Sequence, residues 1–234
     1  MNADTVREVV LYGASGHGLA VSAMLGGDST FPVAMRTVAF IDDTPDKIGT
    51  SLGGIPIVSF GQWKQSLRHI PCLVTPGSPA ARKAMVARVI EAGGFFEKTY
   101  PTIDRPFPPI VGEGSYIGPY SHVGPAVEIG SHAQVMSSVS MGHDIRVDDF
   151  VTICPSCTVS GYVVLEEGAF IGAGSVIVNG RPGKPLVIGA GAFVAAGSVV
   201  TRSVPPGTKV SGNPARPLRE LAAERRQLRL SSRT

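Results

Sequence analysis

From Val111 onward an aliphatic residue stands at every sixth position: Val111, Ile117, Val123, Ile129, Val135, Met141, Val147, Ile153, Val159, Leu165, Ile171 and Ile177, twelve in unbroken succession. After VNGRPGKPLV the register resumes at Ile188, Val194 and Val200. The residue after the aliphatic one is often glycine, as at Gly112, Gly118, Gly124, Gly130, Gly142, Gly172 and Gly189. The fifth position of each hexad is small or β-branched, including Ser115, Ala133, Val151, Cys157, Ala169 and Ser198. One aliphatic and one small inward residue per hexad, with glycine permitting tight corners, describe a short strand and a turn of a β-solenoid.

The Gly- and Pro-rich break at 178–187 reads as a loop thrown out from a corner, and such loops often border sites. The repeat also explains the C-x-x-C at Cys154 and Cys157 better than metal or redox use does. A zinc site needs a second pair and a thioredoxin-like motif sits at a strand-to-helix junction, whereas Cys157 falls in a core slot.

The first half alternates differently. REVVLYGASGHG is an apolar strand and a Gly-rich turn leading into the helix GLAVSAML; TVAFIDD is a second strand ending in two acids; CLVTPG is a third, running into SPAARKAMVARVIEAG. Alternating strands and helices imply a parallel sheet that binds ligands at the strands' carboxyl ends. Gly13, Gly16 and Gly18 would let a phosphate approach the backbone at a helix N-terminus, and Asp42 or Asp43 could hold ribose hydroxyls or a base. The spacing is G-x-x-G-x-G rather than G-x-G-x-x-G, so a structural tight turn stands beside the phosphate reading. The bland alternatives are that His17 is only a helix-start residue and the acids only a solvated strand end. A hydrolase elbow is excluded, because it needs glycine where His17 stands.

No uninterrupted apolar run approaches a membrane span, and the opening MNADTVREVV has neither the basic nor the apolar region of a signal peptide, so a cytoplasmic protein with no membrane insertion is expected. A net charge of +3, with the basic excess in the tail at 217–234, does not imply nucleic acid; the tail reads as a solvated helix. The expected organisation is an α/β Rossmann-like domain over 1–105, a β-helix over 106–216 and the basic tail.

YGASGHG, then FIDD, then a strand ending in Gly before a helix, then a hexapeptide repeat carrying GHDIRVDDF, resembles a bacterial sugar acetyltransferase family over residues 7–217. That family includes the sialic acid O-acetyltransferases and the N-acetyltransferases that act on nucleotide-linked amino sugars. The resemblance implies a left-handed parallel β-helix with three hexads per coil, about five coils between 110 and 205, and a homotrimer. It implies transfer from acetyl-CoA to the amine of a nucleotide-linked amino sugar, with a UDP-4-amino-4,6-dideoxy sugar of the bacillosamine type the best fit, and no metal. Carried onto this chain, the family's base is His143 and its acidic partner Asp144. The nucleotide-sugar contacts are Ser15, Gly16, His17, Asp42, Asp43, Gly77 and Ala80, and the acetyl-CoA contacts are Thr152, Ala173 and Ala196. The bacillosamine-type enzyme has a histidine where this chain has Thr152.

With 18 residues per coil, residues 18 apart stack on neighbouring coils about 4.8 Å apart. Gly161 therefore lies over His143, and its backbone N–H, read as unobstructed, is the expected donor to an acyl oxyanion. A histidine suits proton removal near neutrality, and an adjacent carboxylate fixes its tautomer. His122 and His132 stand 21 and 11 positions before His143, at different hexad positions, which disfavours a trinuclear metal site of the carbonic anhydrase kind. Two rivals stay open: a sugar O-acetyltransferase of the sialic acid type and a noncatalytic nucleotide-sugar-binding scaffold.

Overall fold

The computed structural model describes residues 6–27, 35–99 and 108–231. The expected domain boundary at 105/106 lies outside the described residues. The N-terminal unit contains β1 (Arg7–Tyr12), α1 (Gly16–Gly27), β2 (Met35–Ile41), β3 (Ser51–Leu52), β4 (Ile55–Val58), α2 (Phe60–Ser66), β5 (Cys72–Val74) and α3 (Pro79–Glu91). Its sheet has the order β3-β4-β2-β1-β5, parallel except for the short β3–β4 pair. The strands β1, β2 and β5 are apolar runs buried on both sides, as a sheet covered by helices requires. Serines start two of the helices: Ser59 forms a reciprocal capping box with Gln62, and Ser78 caps α3 with Pro79 at its first position.

From Ile110 the chain winds through three parallel sheets in rotation, one strand in each per coil. Face I carries the ladder Tyr116, Gln134, Thr152, Phe170 and Phe193. Face II carries His122, Ser140, Thr158, Val176 and Val199, and face III carries Ile110, Glu128, Arg146, Val164 and Val187. The aliphatic and small hexad positions point inward and form one core from Val111 to Val210, with Cys157 among them. Partners are 18 residues apart until the fourth coil, where Leu165 pairs with Ile188, 23 residues on, so five extra residues leave at the edge between faces II and III.

Glycine does a different job at these corners from the one the repeat suggests. The left-handed residues stand three places after the aliphatic one, and eight are not glycine: Tyr120, Ala126, His132, Ser138, Asp144, Phe150, Ser156 and Tyr162, with φ between 53° and 60°. The glycine after the aliphatic residue has ordinary φ and is needed because the next coil lies too close. A Cβ on Gly124 would stand 1.8 Å from the Gly142 carbonyl oxygen.

The α/β unit packs on face I. Thr99 bridges to Tyr116, the Gln134 side-chain amide donates to the Val74 and Thr75 carbonyls at 3.0 Å each, and the Thr152 hydroxyl donates to the Gly77 carbonyl at 2.7 Å. Arg82 of α3, fully buried, joins the two parts. Its guanidinium donates to the carbonyls of His132, Pro76, Gly77, Phe150 and Val151 and to the Thr152 hydroxyl, so all its donors face neutral acceptors. Burial lowers its pKa to about 10, which leaves it charged at neutrality. The tail forms α4 (Leu218–Ser231), packed on the last strands of face I. No helix among the described residues is long and apolar enough to cross a membrane.

Candidate functional site

His143 and Asp144 sit at the edge where faces II and III meet. The left-handed backbone at Asp144, φ 53°, is a conformation that Asp tolerates better than most residues. Its carboxylate oxygen lies 2.7 Å from His143 Nδ1, while Nε2 makes no hydrogen bond among the described residues. Tyr162 meets the ring edge-on, centroids 5.1 Å apart, and the His143 side chain keeps 51% of its surface exposed. Gly161 lies on the next coil beside the ring. A Cβ there would stand 2.8 Å from both Cε1 and Nε2, so only glycine leaves the ring its place.

The Gly161 N–H is not free, contrary to the sequence expectation. It donates to Asn179 Oδ1 at 3.0 Å. Asn179 is 18 residues further on, at the root of the inserted loop, and its side chain reaches down over the glycine.

A second group of predicted residues gathers at the carboxyl ends of β1 and β2, around a cavity of about 400 Å³ lined by Tyr12, Gly13, Asp42, Asp43, Met85 and Arg88 among others. β1 lies between β2 and β5, so connections leave it in both directions, and this is where a parallel sheet opens a crevice. Burial raises the pKa of Asp42, but the Lys47 ammonium at 2.8 Å and the Thr44 N–H outweigh it and hold the carboxyl below its usual value. Lys47 also donates to the Ala14 carbonyl, tying the two strand ends together. Asp43 accepts from the Phe60 N–H and pairs with Arg88 at 2.9 Å, and that guanidinium lies 4.2 Å over the Phe60 ring.

At the start of α1 the Ser15 hydroxyl accepts from the Gly18 N–H at 3.2 Å, while the space where a Cβ of Gly16 would stand is open. Gly13 and Gly18 are structural: a Cβ on Gly18 would lie 2.2 Å from the Gly13 carbonyl oxygen. His17 is half-buried with Nε2 enclosed and unpaired among the described residues. Burial first, and Arg82 second, hold its pKa below the ordinary histidine value. Ala80 is exposed on the first turn of α3.

Thr152, expected among the acetyl-CoA contacts, is 0% exposed. Its hydroxyl is fixed between Arg82 and Gly77, because the α/β unit covers that strand of face I. Ala173 and Ala196 are exposed and stacked, with the Gly197 N–H donating to the Ala173 carbonyl at 2.8 Å, but they occupy the edge between faces I and II rather than the edge of His143. His122, His132 and His143 stand apart, and no group of three metal-ligating side chains is arranged to hold an ion among the described residues. Sequence reasoning missed Lys47, Arg82, Arg88 and Asn179. Only Asn179 had a signal, its distance of one coil from Gly161.

No protein-family model matches the chain. It is 31% identical to the solved structure of WeeI from Acinetobacter baumannii AYE, over 91% of this chain and 100% of that one, with a TM-score of 0.79. The acetyltransferase domain of PglB from Neisseria gonorrhoeae FA1090, solved in complex with acetyl coenzyme A, is 26% identical over 91% of this chain and 100% of that one, with a TM-score of 0.76. Over 112 residues the chain is 46% identical to the GDP-perosamine N-acetyltransferase of Escherichia coli O157:H7, a match covering 47% of this chain and 50% of that protein. The chain thus spans about half the length of the curated relative it matches. Its stacked parallel coils are those of the left-handed β-helix acetyltransferases. The chain belongs to the bacterial sugar acetyltransferases of the hexapeptide-repeat family.

Proposed function

We propose that this chain transfers an acetyl group from acetyl-CoA to the amine of a nucleotide-linked amino sugar, with His143 as general base. The observation that carries the reading is the His143–Asp144 pair, whose Nδ1 is held at 2.7 Å while Nε2, beside side-chain-free Gly161, makes no hydrogen bond among the described residues. In this reading Nε2 takes the amine proton as nitrogen attacks the thioester, and Asp144 holds the Nδ1–H tautomer and the ring's orientation. The N-terminal unit is a Rossmann-like nucleotide-binding domain, supported by its sheet order and by the crevice holding Asp42 and Asp43. Ser15, Gly16, His17, Gly77 and Ala80 border the same end of the unit and are proposed as further sugar-nucleotide contacts. Ala173 and Ala196, but not Thr152, remain proposed acetyl-CoA contacts.

The α/β unit covers face I, and His143 stands on the edge opposite that face. The crevice and the base are therefore assigned to different copies of a homotrimer, with each site built between neighbours. This is testable by mixing His143→Ala subunits with Asp43→Lys subunits, each inactive alone, since recovered turnover requires shared sites.

The acceptor is tested with a CoA-release assay using UDP-, dTDP- and GDP-linked 4-amino sugars and their 4-hydroxy counterparts, beside His143→Ala. Turnover of an amino sugar that is lost in the variant is the expected result. Transfer only to a hydroxyl sugar, or an undiminished rate in His143→Ala, would overturn the reading. Nucleotide-sugar binding with no transfer from acetyl-CoA would favour a noncatalytic scaffold.

A further inference from the structure

Direct attack on a thioester puts negative charge on the acyl oxygen, and the donor first in line for it, the Gly161 N–H, is already bonded to Asn179 Oδ1 at 3.0 Å. A backbone N–H only donates, so the atom of the Asn179 amide facing it must be the oxygen. That bond fixes the amide plane and turns Nδ2, with two donor hydrogens, away from the glycine. Nδ2 has no partner among the described residues, and Asn179 is exposed. His143 and Asn179 converge on Gly161 from the coils on either side, the His143 ring taking the space that a Cβ would fill and the Asn179 amide capping the N–H. The loop root is held independently, because the Gly180 N–H donates to the Gly161 carbonyl at 3.0 Å.

We infer that the side-chain amide of Asn179, oriented by the Gly161 N–H, is the donor that stabilises the acyl oxyanion, and that Gly161 acts through it. The inference rests on the acyl-transfer reading with His143 as base. As the amine nitrogen bonds to the acyl carbon, the C=O electron pair moves onto oxygen and into a hydrogen bond from Nδ2, while His143 Nε2 receives the amine proton. When the oxyanion collapses the C–S bond breaks, and CoA leaves as a thiolate that takes the proton back from the imidazolium. No covalent enzyme intermediate forms, and no other reactant is needed.

Asn179→Asp and Asn179→Ala separate the roles. The aspartate still accepts from Gly161 but donates nothing, and the alanine leaves the Gly161 N–H bare. Both are measured with acetyl-CoA and the amino-sugar nucleotide that the wild-type chain turns over, beside His143→Ala, with thermal unfolding of each. The expected result is a fall in kcat of about 10²- to 10³-fold in both, with the KM for acetyl-CoA changed less than about threefold and folding retained. Asn179→Ala as active as wild type or more so would show that the amide only obstructs Gly161, and Asn179→Asp within tenfold of wild type would remove the donor role; either overturns the inference. If His143→Ala is itself undiminished, or if wild type turns over no amino sugar, the acyl-transfer reading fails, and this inference with it. An inactive His143→Ala beside active Asn179 variants sinks the inference alone.

Discussion

Gly161→Ala is a small substitution with a large expected effect on catalysis and almost none on folding. The added methyl would stand 2.8 Å from Cε1 and Nε2 of His143, where ordinary contacts begin near 3.4 Å, so the ring must retreat by about 0.6 Å or rotate outward. The ring is the mobile partner, since it is the end of a half-exposed side chain while Gly161 is held in the coil. Rotation pulls Nδ1 off Asp144 and carries Nε2 from its position. A displacement of this order costs about 10²-fold in rate, and complete loss of the base up to about 10⁴-fold. Gly161 does not need a left-handed backbone, so the change in stability should stay within about 0.5 kcal/mol. The assay is CoA release at saturating acetyl-CoA, paired with urea unfolding. Activity within threefold of wild type would refute the placement of the proposed base over Gly161, and a loss of activity matched by unfolding would refute the claim that the effect is local.

Arg82→Met should destabilise the chain by about 3 kcal/mol in urea unfolding, because the buried carbonyl of His132 and the part-buried carbonyls of Pro76 and Phe150 lose the donor Arg82 supplies, at about 1 kcal/mol each; a cost below about 1 kcal/mol would mean the guanidinium does not hold the α/β unit on face I. His17 and His132 are held below the ordinary value of 6.5, in both cases chiefly by burial, so below that pH the unfolded chain binds more protons than the folded one. Stability should therefore fall as pH drops from about 6.5 through the lowered folded values, with a slope of at most about 1.4 kcal/mol per pH unit for each histidine, and the fall should be shallower in His132→Phe. Burial first and Cys157 second push the Cys154 thiol up to about 11, so at pH 8 only about one in a thousand is ionised. Iodoacetamide should label it slowly in the native chain, rising about tenfold per pH unit; rapid labelling at pH 8 would contradict its burial.

The faces of the β-helix are legible in the sequence because one inward aliphatic residue per hexad is a strict demand of a narrow apolar core, and every position from Val111 to Ile177 meets it. The stacking of Gly161 on His143 follows from the same count. The corners are less legible. Glycine after the aliphatic residue marks close approach between coils, and the left-handed positions go to residues such as Tyr120 and Phe150 that no propensity would choose. Thr152 looks like its exposed neighbours in the repeat, and only the docking of the α/β unit, which the period does not contain, buries it. Arg82 reads as one basic residue in a helix, since the acceptors that give it meaning are mostly backbone carbonyls contributed by other segments. Asn179 stands just where the count is broken, at the first turn of the insertion.

That insertion shows where such a fold is free to change. Five residues enter after Val178, yet Leu165 still meets Ile188 and Phe170 still meets Phe193, and the rings of the latter pair stack 5.0 Å apart. The ladders on the faces admit no half-measure: one added residue within a strand would send every inward side chain outward. An edge can lengthen at no cost to the register on either side. New loops can thus be acquired, enlarged or lost at the edges over evolutionary time while the core sequence stays under the same constraint, and in this chain the edge that has lengthened is the one that carries His143.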